Sequence, residues 1–145
     1  MCIRDSAIIV MPGLSKLSDK EFLKAFQVTD AVIQNKQPIF MVIWVGSIVS
    51  VLSLILISIT YVGLSETWLI VLVALIYLMG VQGITILIHF PLNNQIQRLN
   101  LEKLKDENLR DERLNFENKW NFFNNIRTTI AFFVSLTLLI FLTIT

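Results

Sequence analysis

The sequence predicts an all-α membrane helical bundle, and three observations carry that prediction: long stretches without charge, an apolar composition, and a one-sided distribution of Lys and Arg. No Asp, Glu, Lys or Arg occurs from Gln37 through Ser65, from Thr67 through Gln97, or from Thr128 through Thr145. A bilayer core about 30 Å thick is crossed by roughly 20 apolar helical residues, so each stretch is long enough, the last only just. Of the 145 residues 54% are hydrophobic and 16% charged, and the mean hydropathy is +0.68. That is too apolar for an ordinary soluble domain of this size. The expected partner is the lipid bilayer, and a net charge of +1 gives no reason to expect a nucleic acid.

The placement of the charges orients the chain. Arg4, Lys16, Lys20, Lys24 and Lys36 precede the first apolar run, and Arg98, Lys103, Lys105, Arg110, Arg113, Lys119 and Arg127 lie between the second and third. The connection between the first two runs carries only Glu66. Consecutive spans alternate sides, so all the basic residues share one face, which the positive-inside rule makes cytoplasmic. Residues 15–38 and 91–127 are therefore expected inside, in a multi-pass protein of a bacterial inner membrane.

The elements follow in order. Residues 1–6 (MCIRDS) look foreign to what comes after them, and residues 7–14 read as the remnant of a first membrane helix, which gives three complete spans here and four in an intact protein. Ser18-Asp19-Lys20-Glu21 has the spacing of a capping box, with Leu17 and Phe22 as a hydrophobic staple. A helix over 18–36 is expected there, with Phe22, Phe26, Thr29 and Ile33 on its apolar face and Lys20, Lys24 and Asp30 on others. Pro38 opens the first span, 39–64. Its Ser47, Ser50 and Ser53 lie along one side, where small residues let helices approach. Gly63 and Ser65 mark a turn, and Trp68 suits an interfacial belt at the start of the second span, 68–90. Gln82 needs a partner inside that span, and Gly80 and Gly83 fit a close helix contact. Pro91 is expected to end the span. Residues 92–127 then read as an amphipathic cytoplasmic helix that returns to the membrane at Trp120, with 128–145 as the last span.

Chemistry has few places to sit. Cys2 is the single cysteine, so no intramolecular disulfide or cysteine metal site is possible. His89 is the single histidine. No phosphate-binding loop, paired metal-ligand motif or nucleophile elbow occurs, and no cofactor is expected. What remains is a polar group at the cytoplasmic ends of two spans: His89, Asn93 and Asn94 after one, and Trp120, Asn124, Asn125 and Arg127 before the other. Both lie at one membrane depth. Each also has an ordinary reading: Arg127 and Trp120 as interfacial anchors, Asn93 as a helix cap, and His89 as a hydrogen-bonded structural residue.

Together these residues carry a resemblance. The order Met11-Pro12-Gly13-Leu14, Phe26-Gln27, Asn35 to Phe40 (NKQPIF), Pro91-Leu92-Asn93 and Trp120-x-x-x-Asn124-x-x-Arg127-Thr128 resembles the anthrone oxygenase-like membrane family, many of whose bacterial members are known only as a domain of unknown function. The likeness runs over nearly the whole chain. Two departures stand out: Asp30 falls where the family often has Asn, and two residues separate Asn35 from Pro38. Members typically have four membrane helices, the first ending just before M-P-x-L. For the fungal members the resemblance implies oxygenation of a polycyclic anthrone to an anthraquinone without metal or flavin. It makes His89 the candidate base, Arg127 with Asn93 and Asn124 the candidate donors to an enolate-type oxygen, and Trp120 a stacking partner for an aromatic small molecule. Two other readings stay open. One is a non-catalytic structural or assembly protein that docks a partner through its charged cytoplasmic helix. The other is a small transporter, disfavoured because no ionised residue lies within a span. An oligomer is compatible with either of the first two.

Overall fold

A computed structural model describes residues 6–35 and 37–144; the expected non-native start with Cys2, and also Lys36 and Thr145, fall outside or partly outside that range. Every regular element among the described residues is helical. A wide π turn at Ser6–Val10 leads into the short α1, Met11–Leu14, followed by α2, Asp19–Gln34. The first span is α3, Pro38–Ile57, prolonged by a wide turn at Ser58–Val62. The second is α4, Leu64–Tyr77, which continues through wide turns at Leu78–Gly83 and Thr85–His89 into α5, Phe90–Arg98. The last is α6, Asp106–Ile144. Three helical stretches, Pro38–Val62, Leu64–Arg98 and Asp106–Thr143, are long and apolar enough to cross a membrane, and the chain is a multi-pass membrane protein.

Local chemistry explains where the helices start. The Glu21 carboxylate accepts from the Ser18 N–H at 3.1 Å and from Ser18 Oγ at 2.6 Å, and the two Ser18 bonds hold the carboxyl below the usual carboxylate range. At the head of α3, Gln37 Oε1 accepts from the Phe40 N–H at 2.5 Å, while Pro38 fills a first-turn position that needs no donor. Gly63 joins the first two spans with φ +98°, a conformation that side-chain-bearing residues rarely adopt. Thr67 Oγ1 closes that turn by donating to the Gly63 carbonyl at 2.8 Å.

The molecule divides into a head and a membrane stem. At about 1.5 Å per residue, the 39-residue α6 is about 58 Å long, nearly twice a bilayer core, so its first half projects beyond the lipid. There it packs with α2 and α5 around Phe22, Leu23, Phe26, Ile96, Leu101, Leu109, Phe116 and Trp120, joined by Met11 of α1. Phe26 meets Phe116 edge-on at 4.5 Å. Burying each such side chain contributes roughly 1.5–3 kcal/mol. Arg113 ties the head together: it donates to the carbonyls of Ser15 and Leu17 and to Asp19 and Glu117, over Phe22. In the stem, α3 has no buried residue and is apolar all round, as suits a helix bathed in lipid.

Three expectations change. The stretch 92–127 is not one helix but two, because the chain turns at residues 99–105, where Gln27 Nε2 reaches from α2 to the carbonyls of Ile96 and Leu99 at 2.8 and 3.0 Å. Pro91 does not end the second span. Helix continues through it to Arg98, since the two wide turns before it have already left the i+4 hydrogen-bond pattern that its missing N–H would break. On α2 the inward face is Phe22, Leu23, Phe26 and Asp30, with Thr29 exposed. Asp30 is eight residues from Phe22 and four from Phe26, which places all three on one side.

Candidate functional site

Where the stem meets the head, α4–α5, α6 and α2 bring the informative polar residues together. His89 ends the wide turn Thr85–His89, so its ring projects toward α6. It is 3% exposed and stands edge-on to the Trp120 indole, with centroids 5.1 Å apart. Neither ring nitrogen of His89 has a hydrogen-bond partner among the described residues. A buried polar atom left that way costs roughly 1–3 kcal/mol, and His89 carries two.

Trp120 is the hub. Its Nε1–H donates to Asn93 Oδ1 at 3.2 Å, Phe26 meets it edge-on at 6.1 Å, and the Arg127 guanidinium carbon lies 5.9 Å from its ring centre. Arg127 is aimed by two acceptors: Nε donates to Asn124 Oδ1 at 2.9 Å and Nη1 to Thr85 Oγ1 at 3.1 Å. Thr85 Oγ1 itself donates to the Val81 carbonyl at 2.7 Å. Asn124 is fully buried, three residues before Arg127 and four after Trp120, so all three share a face of α6. Asn93 uses its other end as well, donating from Nδ2 to Asp30 Oδ1 at 2.7 Å.

His89, Asn93, Trp120, Asn124 and Arg127 therefore converge. Asn94 and Asn125 do not: each follows its neighbour by about 100° of helix rotation and is exposed. Asn94 instead lines an open groove of about 600 Å³ with Pro91, Gln95, Arg98, Leu99 and Glu112. The roles within the cluster also differ from the sequence expectation. Asn93 and Asn124 hold Trp120 and Arg127 in place, and Trp120, 5% exposed, has its ring packed against Phe26, His89 and Arg127. Two members were missed: Asp30, placed off the apolar face, and Thr85, which is unremarkable in sequence. The four-residue spacing from Phe26 was the signal for Asp30. None was available for Thr85, whose role depends on a contact across helices.

A second polar group lies deeper in the stem. Gln82 accepts from Trp44 Nε1 at 2.8 Å and donates to Ser47 Oγ at 3.1 Å and to the Tyr77 hydroxyl at 2.9 Å, so it links α4 to α3. Ser50 and Ser53 are exposed and take no part. Gly80 allows the close approach of α6, since a Cβ there would stand 2.7 Å from Ile130 Cδ1. At Gly83 a Cβ would find only ordinary contact. Among the described residues no group of His, Cys, Asp and Glu is arranged to hold a metal ion.

The sequence profile of the anthrone oxygenase family matches residues 35–137. That range takes in NKQPIF, both polar groups except Asp30, and the tryptophan motif. No curated protein and no solved structure matches the chain.

Proposed function

This chain belongs to the anthrone oxygenase family, and from that premise we propose that it oxygenates a planar polycyclic anthrone, or a closely related aromatic ketone, at the cytoplasmic edge of a bacterial inner membrane. The observation that carries the reading is His89: a buried imidazole with both nitrogens unpartnered among the described residues, beside an arginine held from two sides.

The chemistry assigns one task to each group. A ring nitrogen of His89 takes a proton from the methylene carbon opposite the substrate carbonyl. The electron pair moves to that carbonyl oxygen, where the Arg127 guanidinium pairs with the developing anion. Dioxygen then adds to the carbanionic carbon, the peroxide oxygen takes back the proton held by His89, and the hydroperoxide loses water together with the remaining C–H hydrogen to leave a second carbonyl, so one O2 converts one anthrone to one anthraquinone and one water. Asn124 and Thr85 keep Arg127 aimed, and Asn93 keeps Trp120 packed against His89. Pre-aimed donors act without reorganising during the reaction. An apolar substrate reaches this depth from the bilayer itself.

The test is oxygen consumption by membranes holding the full chain when an anthrone is added. The reading expects uptake that depends on both dioxygen and anthrone, lost in His89→Ala and strongly reduced in Arg127→Lys, with all three proteins inserted equally. Wild-type membranes without anthrone-dependent uptake would remove it.

A further inference from the structure

A carboxylate only accepts hydrogen bonds and an indole N–H only donates, whereas a carboxamide has a donor at one end and an acceptor at the other. These three groups stand in a row. Asp30 is 5% exposed; its Oδ1 accepts from Asn93 Nδ2 at 2.7 Å, and its Oδ2 accepts from Gln34 Nε2 at 2.6 Å and Gln97 Nε2 at 3.1 Å. On the far side of Asn93, Oδ1 accepts from Trp120 Nε1 at 3.2 Å. With a pure acceptor on one flank and a pure donor on the other, the Asn93 amide has a single workable sense. Turned over, it would set an N–H against the indole N–H and an oxygen against the carboxylate.

We propose that Asp30 is a positioning residue of the candidate site: it fixes the sense of the Asn93 amide and, through it, the pose of Trp120 between His89 and Arg127. The proposal rests on reading that cluster as the site. Asp30 belongs to the head, outside the apolar runs, yet it lies only two hydrogen bonds from the indole that packs on His89 at 5.1 Å. Asparagine has the same size and would avoid burying a charge. Its single oxygen cannot accept from Asn93, Gln34 and Gln97 together, so an N–H would compete for the place opposite Asn93 and the indole alone would hold the sense of that amide.

The full chain, isotope-labelled in lipid nanodiscs, reports this directly by NMR, because it has three tryptophans and one histidine. Trp44 is bonded to Gln82 in the other polar group and serves as an internal reference. In Asp30→Asn the Trp120 indole N–H signal is expected to shift and its solvent exchange to accelerate roughly tenfold, the scale of one lost hydrogen bond. The His89 ring signals should move with it, while Trp44 stays in place. The exchanged pair Asp30→Asn with Asn93→Asp puts an acceptor-only group opposite the indole again, and is expected to restore the Trp120 protection and the His89 signals. Unchanged Trp120 exchange in Asp30→Asn overturns the proposal. If that variant loosens the whole head and moves Trp44 as well, the exchanged pair decides: restored protection supports the proposal and unrestored protection overturns it. Failure of anthrone turnover in the wild type would remove the oxygenase reading alone, since the coupling of Asp30 to the indole is read without substrate.

Discussion

The molecule has two buried polar groups at different depths of one helical stem, and they are finished differently. Around Gln82 every bond closes: the amide serves Trp44, Ser47 and Tyr77 together. Around Trp120 the indole N–H and Arg127 Nε and Nη1 are bonded as well, through Asn93, Asn124 and Thr85, but His89 beside them has no partner for either nitrogen among the described residues. Buried polar groups in folded proteins are normally paired. The difference sets a network that holds helices together apart from one that, on the proposed function, presents its central imidazole to a substrate. Substitutions should therefore part stability from activity in opposite ways at the two places.

The largest expected effect is on turnover. Replacing His89 by Phe should lower anthrone turnover by at least about 100-fold, the scale of a lost general base, while the thermal midpoint of the membrane-embedded protein holds or rises. A marked drop in that midpoint would mean the imidazole is structural after all. Arg127→Lys comes next. Lysine keeps the charge but loses the two-point aim on Asn124 and Thr85, and turnover should fall by roughly 10- to 100-fold with insertion unchanged. Gln82→Leu should act in the other direction. It strands the Trp44 N–H and should destabilise by about 1–3 kcal/mol, visible in denaturation assays, with turnover per folded molecule retained. Gly80→Ala is the mildest: Ile130 must move from a 2.7 Å contact, at about 1 kcal/mol or somewhat more.

Much of this was legible in the sequence, for reasons that differ by feature. The three uncharged runs mark the three spans because the bilayer tolerates little else. The capping box at Ser18 and the partner demanded by Gln82 are local rules, and both hold. The break at residues 99–105 was missed: it contains neither Gly nor Pro, its one local signal is Asn100, whose Oδ1 accepts from the Glu102 N–H at 3.2 Å, and its cap by Gln27 from α2 is a contact that no local pattern encodes. Pro91 misled because it falls in the first turn of α5, where the chain needs no backbone N–H. At the site, shared depth brought His89, Asn93, Trp120, Asn124 and Arg127 together. Helix rotation, which depth alone does not supply, separated Asn94 and Asn125 from them. Asp30 was placed off the apolar face because a carboxylate does not count toward an apolar stripe, and the amides that let it turn inward come from Gln34, Asn93 and Gln97.

The most direct measurement uses the fact that the chain has one histidine, so imidazole nitrogen signals from an isotope-labelled sample belong to His89 alone. Under argon, so that binding is separated from oxygenation, an anthrone is titrated into the protein in nanodiscs. The account expects the imidazole signals to move saturably while the Trp44 indole signal stays in place. Imidazole signals that do not move at saturating anthrone, with the protein folded, would contradict it.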